Sequence, residues 1–458
     1  MQADVARRKA CGRGRRAAHV GINSIITLRC KVFVSEASVR RSVPRVIASM
    51  PMSERLSNRR FFALWVVLAP FLLANGCTNA ATRTVGGTSA ASPASSASAA
   101  GEAAEATDSC VVADGITSYC GFTNPEDLVA APGGQELFVS EMGNFLKGTP
   151  GSLAIFEIEG ASRRELPIDW KGNGEKWADR KCPAPDPGLF SPHGIDLRSR
   201  EDGRRGFYVV NHGGRESVEF FELLGKPGEW SISWRGCVAP AGDPLLNDVA
   251  ALPDGKIAVT HMWDKDTWTI VTAGKLLLGV HTGWVWIWSP ATGFSRLPES
   301  EAVMPNGIAS SRDGKTLYIN NYMENRSVRR DATTGAYLGE VEVEQPDNVT
   351  VDDAGRIWIV GHHHFIGNTS CLDAEGPCPL AYSVVRADAE TMEGGAVFAH
   401  EGPPMGFATV ALPVGEKLYL GTAKGDRMVS IPLASVTGPI PAAASSSATS
   451  SASREAAD

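Results

Sequence analysis

A hairpin unit recurs six times along this 458-residue chain, and that recurrence constrains its fold more than any other feature. The copies are EDLVAAPGGQELFVSE (126–141), SPHGIDLRSREDGRRGFYVVNH (191–212), NDVAALPDGKIAVTHM (247–262), NGIASSRDGKTLYINN (306–321), DNVTVDDAGRIWIVGH (347–362) and, more weakly, GFATVALPVGEKLYLGTA (406–423). Each opens on a polar or small residue, passes a glycine-containing turn and returns as a strand of β-branched and aromatic residues. A unit spaced by about 40 to 70 residues, with further strands between copies, predicts an all-β, six-bladed β-propeller.

The turns set an expected register. Asp202-Gly203 signals a two-residue type I′ hairpin, which places His193 directly across from His212. The same symmetry sets Glu126 against Glu141, Asn247 against Met262, Asn306 against Asn321 and Asp347 against His362. In a radial array the polar ends meet at one mouth of the central channel. Glu126, Asn247, Asn306, Asp347 and Asn348 bring only hard oxygen donors, which suit calcium and not zinc. Two carboxylates balance one divalent ion, and three amides complete its shell. Asp127 and Asp248, next along their strands, point the other way and suit a second ion. Taken singly, an Asx residue at a strand start usually caps a loop, and opposed histidines can simply bond backbone groups. The recurrence of acidic or amide residues at one register is what argues for a site.

Sequence outside the repeats bounds the domain, expected at 108–436. Residues 1–49 are Arg-rich and unpatterned, and read as a non-native upstream extension or disordered leader ahead of a start at Met50 or Met52. Within 50–76, the run RRFFALWVVLAPFLLANG has the basic start, short apolar core and small residues of an export signal peptide. Its apolar run falls short of the ~20 residues that span a bilayer. Gly76-Cys77 resembles a bacterial lipobox, so Cys77 is the expected point of lipid attachment to a membrane, with simple periplasmic export or secretion as the alternative. The Ala/Ser-rich stretch 77–107 reads as a disordered tether and 437–458 as a disordered tail. A net charge of −7 gives no basic face for nucleic acid. Six cysteines remain in the domain (Cys110, Cys120, Cys182, Cys237, Cys371, Cys378), an even number that suggests disulfides in an exported chain. Cys110 with Cys120 and Cys371 with Cys378 are close enough for local bridges. All fifteen connectivities stay open.

The segments NPEDL, SPHGI, VVNHGGRESVEFFEL, LLNDV, PNGIASSRDGKTLYI and PDNVTVDDAGRIWIVGHH, in this order, resemble the paraoxonase and arylesterase family of six-bladed propeller lactonases. The resemblance implies two calcium ions in the channel. One is a catalytic ion on Glu126, Asn247, Asn306, Asp347 and Asn348; the other is a structural ion on Asp127, Asp248 and the backbone carbonyl of Ile195. It implies a catalytic histidine dyad, His193 and His212, and a further active-site histidine, His362. His363 and His364 are expected in a loop, and His261 and His281 as structural or substrate-contacting groups. The family joins its first and last strands by a disulfide, whereas DRMVSIPL here has no cysteine, so closure must rest on strand pairing or on another use of Cys110 and Cys120.

The expected activity is calcium-dependent hydrolysis of lactones, with aryl esters as secondary substrates. Two alternatives stand beside it: a gluconolactonase-type sugar-lactone hydrolase with one metal, and a non-catalytic, calcium-stabilised propeller acting as a binding module. The sequence gives no oligomeric state and does not identify the natural substrate.

Overall fold

A computed structural model describes residues 110, 112–113, 115–144, 149–267, 269–364, 371, 376–436 and 438. The expected leader, signal peptide, Cys77, tether and, apart from Gly438, the tail lie outside the described residues. The rest is a six-bladed β-propeller whose sheets are antiparallel except for a short parallel outer pairing, Ile168–Asp169 beside Ser231–Val238. Its inner strands are Pro125–Ala130, Pro192–Ser199, Pro244–Ala251, Pro305–Ser310, Pro346–Val351 and Ala408–Val414. Each packs on the next around the ring, and the sixth packs on the first.

Apolar faces of neighbouring blades hold the ring together. Between blades one and two, Phe138 meets Phe207 edge-on at 5.4 Å and Trp230 at 6.3 Å, with Ile155, Phe221 and Ile232 fully buried beside them. Burying one such side chain stabilises the fold by roughly 1.5–3 kcal/mol. These contacts set the blade spacing that fixes the channel.

Closure uses the start of the domain. Strand Ile116–Cys120 pairs antiparallel with Arg427–Pro432 (Thr117 opposite Ser430), and Tyr119 Oη lies 2.9 Å from Ser430 Oγ. Strand pairing thus replaces a covalent clasp between the ends. Cys110–Cys120 is a local bridge beside the seam; Cys182–Cys237 and Cys371–Cys378 are the other two disulfides.

The expected cross-strand register is corrected. In blade two the hairpin loop has three residues, 201–203, closed by Arg200 N→Arg204 O (2.8 Å) with Gly203 at φ +80°. That left-handed position is what the glycine supplies. The change sets Ile195 opposite Val209; toward the channel mouth a bulge shifts the pairing again, so that Pro192 faces Asn211 and His193 falls within the bulge. A bulge stands at the equivalent place in every inner strand: at Glu126, at His193-Gly194, at Asn247-Asp248, at Asn306-Gly307, at Asp347-Asn348 and at Thr409-Val410. The facing pairs expected at Glu141, Met262, Asn321 and His362 are displaced for the same reason.

Candidate active site

All the side chains expected at the channel mouth sit on or beside these bulges. A bulge inserts an extra residue, bends the strand and re-aims side chains that regular pleating would send to opposite faces. On blade five it brings both Asp347 and Asn348 toward Glu126: Asn348 Nδ2 donates to Glu126 Oε1 at 2.8 Å, and Glu126 acts on the Asp347 carboxyl. Blades two and four carry glycine at the second bulge position because nothing larger fits. A Cβ at Gly194 would collide with Asp248 Oδ1, and one at Gly307 with the Asp347 carbonyl.

Two groups of oxygen atoms result. Asp127 accepts from Leu128 N (2.8 Å) and from Ile195 N on the next blade (2.7 Å). Asp248 does the same with Val249 N (2.7 Å) and Ile308 N (2.8 Å), and Asp196 with Leu197 N and Ala251 N (both 2.7 Å). These three carboxylates staple adjacent inner strands through the backbone. In contrast, Glu126 Oε2, Asn247 Oδ1, Asn306 Oδ1 and Asn348 Oδ1 are buried without a hydrogen-bond partner, as is Asn320 Oδ1 opposite the blade-four bulge. Leaving a buried acceptor unsatisfied typically costs about 1–3 kcal/mol.

Charge in this region is one-sided. Burial holds Asp127, Asp248 and Asp347 well above the ordinary carboxylate range; repulsion from Asp248 and Glu126 adds to it at Asp127, and from Glu126 at Asp347 and Asp248. Among the described residues, no three Asp, Glu, His or Cys side chains alone converge as a metal-binding group. Any ion here must therefore draw on the amide oxygens and main chain, which fits the hard donor set and not a zinc cluster.

The two histidines meet despite the altered register. His193 Nδ1 lies 2.7 Å from His212 Nε2, and His193 Nε2 lies 3.5 Å from Glu126 Oε1. Behind them, His212 Nδ1 is 2.9 Å from Glu216 Oε2, and Glu216 Oε1 accepts from Lys265 Nζ at 2.9 Å. Burial lowers the His212 pKa against the opposing pull of Glu216. At Glu216, burial alone would raise the pKa, but His212 and Lys265 together bring it below the usual range.

The remaining histidines are placed differently. His362 Nε2 donates to the Ala408 carbonyl at 2.7 Å, and Nδ1 lies 2.9 Å from Tyr322 Oη, whose hydroxyl also reaches Gln345 Oε1 at 3.2 Å. Burial pushes its pKa down to about 3, so the ring is neutral and both nitrogens are engaged. His261 is buried against Trp284 with ring centroids 4.2 Å apart, and His281 is exposed. His363 bonds Glu344 at 2.8 Å, and His364 packs edge-on to Phe407.

Sequence reasoning missed Glu216, Lys265, Tyr322 and Asn320. Glu216 lies four residues beyond His212, across a Gly-Gly-Arg loop that carries no periodic pattern. Asn320 is adjacent to Asn321, the residue that the unbulged register put at the mouth.

Comparison with known proteins adds to this geometry. The family model described as arylesterase matches residues 163–428. Mouse serum paraoxonase/arylesterase 1 is 26% identical over 321 residues, 66% of this chain and 83% of that protein. The human protein of the same name is 26% identical over 317 residues, with the same shares covered. Among solved structures, a gluconolactonase from Xanthomonas campestris superposes with a TM-score of 0.41 at 15% identity, covering 69% of this chain and 89% of that one. A luciferin-regenerating enzyme gives 0.42 at 15% identity, covering 70% and 97%.

Proposed function

This chain belongs to the arylesterase family, and from that premise we propose that it is a calcium-dependent hydrolase of lactones, with aryl esters as secondary substrates. The observation that carries the calcium reading is the set of buried, unpartnered oxygens of Glu126, Asn247, Asn306 and Asn348, with the Asp347 carboxylate beside them. In this reading those five residues hold one ion. Asp127, Asp248 and the Ile195 carbonyl hold the second, since each stapling carboxylate oxygen uses one lone pair for its amide and keeps another. When bound, calcium supplies Lewis-acid polarisation of the substrate carbonyl and positive charge for the oxyanion.

The protein's own groups manage the proton. His193 Nε2 removes it from the attacking water, and His212, bonded to Nδ1, orients the ring. A neutral imidazole, with a reference pKa of about 6.5, suits this task. His362 has both nitrogens engaged, and we assign it to the wall of the site with no proton step.

Three disulfides among the described residues support folding in an oxidising compartment, in line with an export signal at 50–76 and lipid attachment at Cys77.

A panel of lactones and aryl esters, assayed with calcium and with a chelator, tests the activity. Turnover that needs calcium is expected, and His193→Gln should lower kcat by about 10²–10⁴-fold. Turnover that survives chelation, or none on any lactone or aryl ester, overturns it. One ion per chain by elemental analysis would favour the sugar-lactone hydrolase. Calcium-dependent stability without any hydrolysis would favour a binding module.

A further inference from the structure

We propose that Glu216 is a positioning residue that fixes which nitrogen of His193 is basic, and that Lys265 holds Glu216 in the ionised form this requires. The inference rests on the hydrolase reading for its kinetic consequence, but its structural content stands apart from it.

The hydrogen-bond chain has a direction. Glu216 is 8% exposed, bonds Lys265 Nζ at 2.9 Å and accepts the backbone amide of Leu246 at 3.2 Å. A carboxylate paired with an ammonium can only accept, so the hydrogen shared with His212 at 2.9 Å belongs to His212 Nδ1. In a neutral ring His212 Nε2 is then the acceptor, and the 2.7 Å contact is filled by a hydrogen on His193 Nδ1. That leaves Nε2 as the unprotonated nitrogen of His193, on the side of Glu126 at the channel mouth. Reverse the first donor and every later one reverses, placing a hydrogen on His193 Nε2.

Glu216 also bridges two blades. His212 directly follows the second strand of blade two, and Leu246 directly precedes Asn247 on the inner strand of blade three. One carboxylate thus registers the histidine pair against an oxygen ligand contributed by the neighbouring blade. Lys265 is held in turn by Asp243, 3.4 Å away, so the ammonium is pinned from two sides.

The isosteric variant Glu216→Gln tests this. Lys265 must donate to the amide oxygen, which turns the amide NH2 toward His212 Nδ1 and inverts both rings. Long-range ¹H–¹⁵N correlation spectra of the histidines should show Nδ1–H forms of His193 and His212 in the native protein and Nε2–H forms in the variant. With a lactone, kcat should fall about 100-fold while KM stays within about threefold, as expected for a loss of general-base geometry. Glu216→Asp, which restores an acceptor-only group, should keep the native forms and recover at least about tenfold of that loss. Unchanged ring forms in Glu216→Gln, or an Asp variant no better than the Gln variant, overturn the proposal. The spectra need no substrate. If the native protein shows the expected forms but cleaves no lactone or ester, the hydrolase reading fails and the role of Glu216 stands.

Discussion

Glu126 and Asp127 are neighbours in sequence, as are Asn247 and Asp248, yet the two members of each pair occupy opposite thermodynamic situations. Asp127 and Asp248 have each carboxylate oxygen bonded to one backbone amide, one on their own strand and one on the next. Glu126 and Asn247 each bury an oxygen that bonds nothing in the protein. The first pair joins blades; the second is held in readiness at the fold's expense. Because the bulge recurs in blade six at Thr409-Val410, where no carboxylate or amide side chain stands, the backbone irregularity belongs to the scaffold. The residues placed on it decide whether it binds.

The contrast breaks most visibly at Asp248. Asp248→Ala strips two buried amide donors of their acceptor, and the stability of the chelated protein should fall by about 2–6 kcal/mol at roughly 1–3 kcal/mol per orphaned group. Urea titration measures it. A change under about 1 kcal/mol would mean the stapling bonds carry little.

An effect that is smaller for each group separates carboxylates from amides by pH. Asp127, Asp248 and Asp347 have folded-state pKa values raised by burial, so above the unfolded value of about 3.9 the folded protein holds protons that the unfolded chain has released. Their favourable contribution is complete below that value. It is lost as pH climbs toward the folded values, at up to about 1.4 kcal/mol per pH unit for each group. Denaturation of the chelated protein at a series of pH values should show this decline, and saturating calcium should flatten it. A chelated protein that gains stability as pH rises through the same window would contradict the assignment.

The smallest loss is expected at Asn247→Ala. Removing an acceptor that already lacks a partner should leave the stability of the chelated protein unchanged or raise it by up to about 1–3 kcal/mol, while the stabilisation gained on adding calcium shrinks. Paired thermal melts with calcium and with chelator read both numbers. A large loss without calcium would show that this oxygen serves the fold after all.

Much of this was legible in the sequence because glycine turns and alternating strands advertise a hairpin repeat locally. The oxygen donors were legible because their residue types recur at one position of the repeat. The bulges were not, since an inserted residue in a strand has no composition of its own: His193-Gly194 and Asn306-Gly307 look like ordinary strand starts. Glu216 escaped for a different reason. Two of its partners, Lys265 and Leu246, lie on the next blade, and only the ring brings them to the loop that carries His212 and Glu216. The Cys182–Cys237 bridge, 55 residues apart, likewise became distinguishable only once the blades were assembled.

The pairing of Ile116–Cys120 with Arg427–Pro432 has a consequence for biosynthesis. Thr117 is among the first residues of the domain to leave the ribosome, and its partner Ser430 is among the last. The early strand must wait without this partner while nearly the whole domain is translated, and the ring cannot lock until its final strand arrives. Any truncation that removes 427–432 therefore opens the molecule at both ends of the chain at once.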